Sequence, residues 1–155
     1  MDFSKPPNTA VAGIVMVDRH NNFLLQKRDE RPDISNPGMI GMFGGHKEGN
    51  ETDVECALRE VAEETGLMLS PDLLDLVVST RVEYGNGICR EGTFYLARNI
   101  DPSGFVVTEG SLFVVPVAEV GRHFADMVPT TVYVISLICE ELRRGMRTLD
   151  DAGKP

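Results

Sequence analysis

The chain has 155 residues, 42% hydrophobic and 25% charged, which is enough for one domain with a buried core. Its formal net charge of −9 excludes a broad nucleic-acid-binding face, because a phosphate backbone needs a basic footprint. A small phosphorylated substrate stays open, since bound cations can neutralise it locally. No apolar run reaches the roughly 20 residues of a membrane span, and the N-terminal MDFSKPPNTAVAG lacks the basic-then-apolar plan of a secretory signal. The expectation is a cytoplasmic protein with no membrane partner.

In chain order, residues 1–9 read as a loose arm and residues 10–17 as an apolar, β-branched strand. The turn Arg19-His20-Asn21-Asn22 leads to a second strand over residues 23–28, the two forming a hairpin. Residues 29–38 hold Pro32, Pro37 and Gly38 and read as loop, and residues 39–43 as a short strand running into Gly44-Gly45. Thr52 followed by Glu55 fits a capping box. The helix it opens carries an apolar stripe of Val54, Ala57, Leu58, Val61 and Ala62, and Gly66 suits the left-handed position past its end. A strand is expected over residues 73–84, firmest from Val77, with a turn at Gly85-Asn86-Gly87 and a partner strand over 93–98. Residues 101–104 turn again, and residues 105–108 and 112–117 are further strand candidates. A second helix is expected over 129–144, packed through Val132, Ile135, Leu137, Ile138, Cys139 and Leu142, with Gly145 ending it and residues 150–155 frayed. No linker or repeat divides residues 10–149, and the interleaving of strands and helices points to a single layered α/β domain. Cys56, Cys89 and Cys139 match neither a zinc spacing nor a disulfide framework and read as free thiols.

The first helix carries the chemistry. Glu60, Glu63 and Glu64 stand at i, i+3 and i+4, so three carboxylates share one face. Like charges that close repel, and a divalent cation reverses that cost. Gly45, Glu51 and the run Arg59-Glu60-Val61-Ala62-Glu63-Glu64-Thr65-Gly66-Leu67 together resemble a complete Nudix box, with every defining position filled. The resemblance implies an α/β/α sandwich with a mixed β-sheet. It also implies hydrolysis of a nucleoside diphosphate linked to another moiety, with Mg²⁺ or Mn²⁺ as cofactor and a small nucleotide-derived substrate. By resemblance Glu60 and Glu64 are direct metal ligands, Glu63 bridges or orients the water, and the Gly44 carbonyl faces a metal. Arg59 is implied to pair with Glu51 and hold loop and helix in register, while Gly44-Gly45 let the backbone pass close to the site. Glu109 is the leading candidate for a catalytic base outside the box, with Glu83 and Glu91 as rivals. Arg28, ending a strand before the loop to the box, is the first candidate for a phosphate contact, ahead of Arg31, Arg81 and Arg98.

Phe43 stands where many such proteins have proline, and reads as a packing residue or a substrate wall. His46 reads as a loop histidine. With no Trp in the chain, base stacking falls to Phe23, Phe43, Tyr84, Tyr95 or Phe113. Nucleotide sugars and ADP-ribose-like molecules are the preferred substrates. An isoprenoid diphosphate isomerase of the same fold, with Cys56 as the only thiol in the box helix, and a non-catalytic nucleotide-binding module are the alternatives. Homodimers are common among similar proteins, and no residue here argues for or against one.

Overall fold

The computed structural model describes residues 6–149. Its elements are β1 (Thr9–Asp18), β2 (Asn22–Lys27), β3 (Ile40–Gly41), β4 (Phe43–His46), α1 (Asp53–Thr65), β5 (Asp75–Glu83), β6 (Cys89–Ile100), β7 (Ser111–Pro116) and α2 (Pro129–Arg143). Short 3-10 turns cover Pro71–Leu73 and Pro102–Gly104, and a longer 3-10 stretch that the sequence did not announce covers Val117–Asp126. Among the described residues no helix is long and apolar enough to cross a membrane.

The sheet is mixed, as expected. It runs β3-β2-β1-β6-β5, with β4 added to β1 and β7 added to β2. β1 is antiparallel to β2 and β4 and parallel to β6. Side chains alternate between faces along each strand, and each face meets one helix. Ile14, opposite Tyr95, joins Cys56, Ala57 and Val61 of α1 in one core. Val15, opposite Leu96, joins Val134, Ile135 and Ile138 of α2 in the other. Two helical layers thus enclose the sheet, which is the α/β/α arrangement.

The turn between β1 and β2 is set by Asp18, whose carboxylate accepts from the N–H groups of His20 and Asn22 and from the Asn22 side-chain amide. Thr52 caps α1, with both bonds of the capping box present, and Gly66 closes the helix at φ 73°. Cys56, absent from the expected stripe, is fully buried with Ala57 and Val61.

Three expectations are corrected. Residues 105–108 are not a strand, because the N–H groups of Val106 and Thr108 turn to the end of α1, donating to the Thr65 and Glu64 carbonyls. Thr9, expected in the arm, opens β1, and Asn8 just before it is bonded to Cys89 through both backbone and side chain. Leu137, unlike the partly buried Val132, Cys139 and Leu142, does not pack on the α2 core, whereas Val134 is fully buried in it. The rest of the arm to Lys5 and the tail over 150–155 lie outside the described residues.

Candidate active site

β4 brings the paired glycines against β1, with Gly44 opposite Gly13 and Gly45 opposite Ala12. Gly44 has φ 152°, and a Cβ there would stand 2.4 Å from the Ala12 carbonyl oxygen. Its N–H donates to Glu64 Oε2 at 3.0 Å. A Cβ on Gly45 would stand 2.4 Å from Glu60 Oε1, so the bare backbone makes room for that carboxylate. Both glycines are thus tied to box glutamates, Gly44 by a hydrogen bond and Gly45 by steric vacancy.

Arg59 is the hub. Its Nε and Nη2 take both oxygens of Glu51 at 3.0 and 2.8 Å, in the bidentate geometry that fixes orientation. Nη2 also donates to the His46 carbonyl at 2.9 Å, and Nη1 to Glu60 at 3.0 Å and Glu63 at 3.2 Å. The Arg59 hydrogen bonds hold the Glu51 carboxyl down to about 2. A carboxyl depressed in the folded state adds stability above its unfolded value of 4.5 and loses it as pH falls toward 2. Glu51→Gln is therefore expected to flatten the acid arm of a stability-versus-pH curve in that window. Urea unfolding at stepped pH checks this, and an unchanged acid slope would refute it.

Glu60, Glu63 and Glu64 share the helix face as the spacing requires, but they do not converge. Among the described residues no three acidic, histidine or cysteine side chains are gathered to hold an ion as they stand. The reason is local: Arg59 holds Glu60 and Glu63, and Glu64 turns to the Gly44 N–H. The donor set nevertheless fits a hard cation, since Mg²⁺ takes one or two carboxylates and keeps several waters. Glu64 carries the sign of a site that wants positive charge. Burial, with Glu60 and Glu109 nearby, pushes its carboxyl up to about 7, against the opposing pull of the Gly44 N–H and Arg28.

Two residues from outside the box bear on that same charge. Glu109 and Arg28 both act on the Glu64 charge, and both line a cavity of about 190 Å³ with Gln26, Asp29, Arg31, Ile34 and Gly110. Arg28 Nε is held by the Ser35 carbonyl at 2.9 Å. Of the rivals, Glu91 pairs with Arg81, and Glu83 lies 3.6 Å from the same guanidinium. Arg98 pairs with Asp75 and bonds the Thr148 carbonyl, and Arg31 pairs with Asp33.

A larger groove of about 930 Å³ opens at His46 and runs over the sheet toward the first turn of α2, past Tyr84, Arg90, Phe94 and Tyr133. Tyr133 was not singled out in the sequence. Tyr84 and Tyr133 are about half exposed, and Arg90 lies over the Tyr84 ring at 5.4 Å. Phe23, Phe43 and Tyr95 are core residues, and Phe43 packs edge-on against Phe105. Cys56 is sealed in the core beside the Gly45 carbonyl; burial and the Glu51 charge push its thiol up to about 12, the opposite of what a catalytic thiol needs. One further network was not foreseen: Asp53 accepts from Lys47 at 2.7 Å and from the Thr93 hydroxyl at 2.8 Å, pinning the start of α1 to the β4 loop and to β6.

A family model described as the NUDIX domain matches residues 7–126. Among solved structures, the chain is similar to the E. coli ORF135 protein, at 17% identity and TM-score 0.71, covering 97% of this chain and 100% of that one. It is similar to a MutT NUDIX hydrolase from Burkholderia pseudomallei, at 20% identity and TM-score 0.63, covering 86% and 99%. It is also similar to a C. elegans Ap4A hydrolase, at 16% identity and TM-score 0.64, covering 88% and 98%. At these identities the likeness to solved structures is one of fold.

Proposed function

The chain belongs to the NUDIX domain family, and from that membership we propose a metal-dependent hydrolase that cleaves the phosphoanhydride of a nucleoside diphosphate linked to another moiety. Nucleotide sugars and ADP-ribose-like molecules are the preferred substrates, with Mg²⁺ or Mn²⁺ as cofactor. One observation supports the reading: the Gly44 N–H holds the Glu64 carboxylate, the bare Gly45 backbone makes room for that of Glu60, and Thr108, next to Glu109, bonds the Glu63 and Glu64 carbonyls.

Glu60 and Glu64 would hold the cation, with Glu63 completing or bridging the set. A bound cation would supply neutralisation of the diphosphate charge and acidification of the attacking water. Arg28 would orient a phosphate, and Gly45 would let it approach the backbone closely. Glu109 would take the proton of the attacking water, directly or through one further water. Arg59 does not touch the reacting atoms in this scheme; it keeps the Glu51 loop and α1 in register. The groove beginning at His46 is of a size that accepts a nucleoside-like group, with Tyr84 and Tyr133 as exposed rings.

A screen of nucleoside diphosphate derivatives with Mg²⁺ and Mn²⁺, products read by mass, tests the function. Phosphate-bearing fragments are expected, and their absence across the panel would overturn it. Glu109→Gln is expected to lower turnover by roughly 10²-fold or more, the scale of general-base removal, with little change in the thermal shift given by Mn²⁺. A wild-type rate would remove Glu109 as the base.

A further inference from the structure

The loop carrying Glu109 is tied down on two sides. On the first it closes the end of α1, where the last carbonyls have no donor within the helix. Val106 N–H donates to the Thr65 carbonyl at 2.9 Å, Thr108 N–H to that of Glu64 at 3.1 Å, and the Thr108 hydroxyl to that of Glu63 at 3.1 Å. The backbone of two box glutamates is therefore bonded to the loop that presents Glu109.

On the second side stands β2. Gln26 is 2% exposed, and its Nε2 donates to the Glu109 carbonyl at 2.8 Å. Burying an amide is costly unless it is bonded, so packing alone would favour an apolar residue after Leu24 and Leu25. The next residue of the loop, Gly110, has φ 70°, and a Cβ there would stand 2.1 Å from the Lys27 carbonyl oxygen. Its N–H donates to Asp29 Oδ2 at 3.2 Å. The loop backbone approaches the end of β2 closely and is bonded there.

We propose that Gln26, with Thr108 and Gly110, is a positioning residue that fixes Glu109 against the last turn of α1, so that the base and the glutamates Glu63 and Glu64 keep one geometry. This rests on the reading of Glu109 given above. Gln26 lines the same small cavity as Glu109 and Arg28, and its role in this proposal is exerted through the Glu109 backbone.

The test is Gln26→Leu in the Mg²⁺-loaded protein, using whichever of ADP-ribose, dGTP and diadenosine tetraphosphate is turned over fastest. A base displaced by about 1 Å costs up to roughly 10²-fold, so kcat is expected to fall about 10- to 100-fold with KM within about threefold. The Mn²⁺ thermal shift should be unchanged, and the Thr108 and Gly110 amides should exchange hydrogen faster. In a Glu109→Gln background the same substitution should cost under about threefold, because the two act as one unit. A wild-type kcat for Gln26→Leu, or its full loss repeated in the Glu109→Gln background, overturns the positioning role alone. A wild-type rate for Glu109→Gln by itself overturns the base and the positioning role with it, a distinct result. Should Gln26→Leu not fold, Thr108→Val, on an exposed side chain, carries the same cycle with an expected loss of about three- to tenfold.

Discussion

Glu64→Gln is expected to abolish most hydrolysis and, at the same time, to stabilise the metal-free protein. Losing several kcal/mol of charge stabilisation at the reacting phosphate corresponds to about 10³-fold in rate. The stability gain follows from burial, which pushes the Glu64 carboxyl up from 4.5 to about 7. Between those values the folded state holds a proton that the unfolded state has released, so stability falls as pH rises through the window and stays low above it. Glutamine carries no such burden and can still accept from the Gly44 N–H. The variant should therefore gain up to about 3 kcal/mol over the wild type at pH 8 relative to pH 4, in urea unfolding with chelator present. A difference between the two proteins that does not grow with pH would refute the electrostatic account. Glu63→Gln should also lose activity by orders of magnitude while the fold stays intact, and full activity in both variants would sink the proposed mechanism.

The second large effect separates two adjacent glycines. Gly44→Ala should destabilise the whole fold by about 3 kcal/mol or more, since it combines a strained backbone angle with overpacking. The atoms it meets, the Ala12 carbonyl and Gly13 Cα, belong to the central strand and cannot step aside. The three atoms nearest a Cβ on Gly45 all belong to the carboxylate of Glu60, the far end of a flexible side chain. Gly45→Ala should leave the unfolding midpoint nearly unchanged while shrinking the thermal shift produced by Mn²⁺. Equal unfolding midpoints for the two variants would contradict the placement of β4 against β1.

Much of this was legible in the chain because it is local. The capping box at Thr52, the left-handed Gly66 and the glutamate face of α1 depend on residues three or four apart, and each stands where spacing put it. The hairpin of β1 and β2 was legible for the same reason. What escaped depends on distant partners. Residues 105–108 are an apolar, β-branched run as a strand would be, but the N–H groups of Val106 and Thr108 are claimed by carbonyls some forty positions earlier, at the end of α1. Nor does the helix pattern show that Glu64 would turn away from Glu60 and Glu63 to the Gly44 N–H, twenty positions earlier. One faint signal was present: Gln26 directly follows the apolar run Phe23-Leu24-Leu25 of β2 and is buried with it, and its partner is the Glu109 carbonyl.

The parallel pairing of β1 with β6 sets residue 9 beside residue 90. Joining them means closing a long loop, whose entropic cost comes before any contact repays it. The β1–β2 hairpin can form as soon as residue 27 is made, yet the other edge of β1 has no partner until β6 has been synthesised. In that interval an apolar strand edge built around Ile14-Val15-Met16-Val17 stands open to other chains. Yield of folded protein should then depend on synthesis speed and temperature more than the finished domain's stability would suggest.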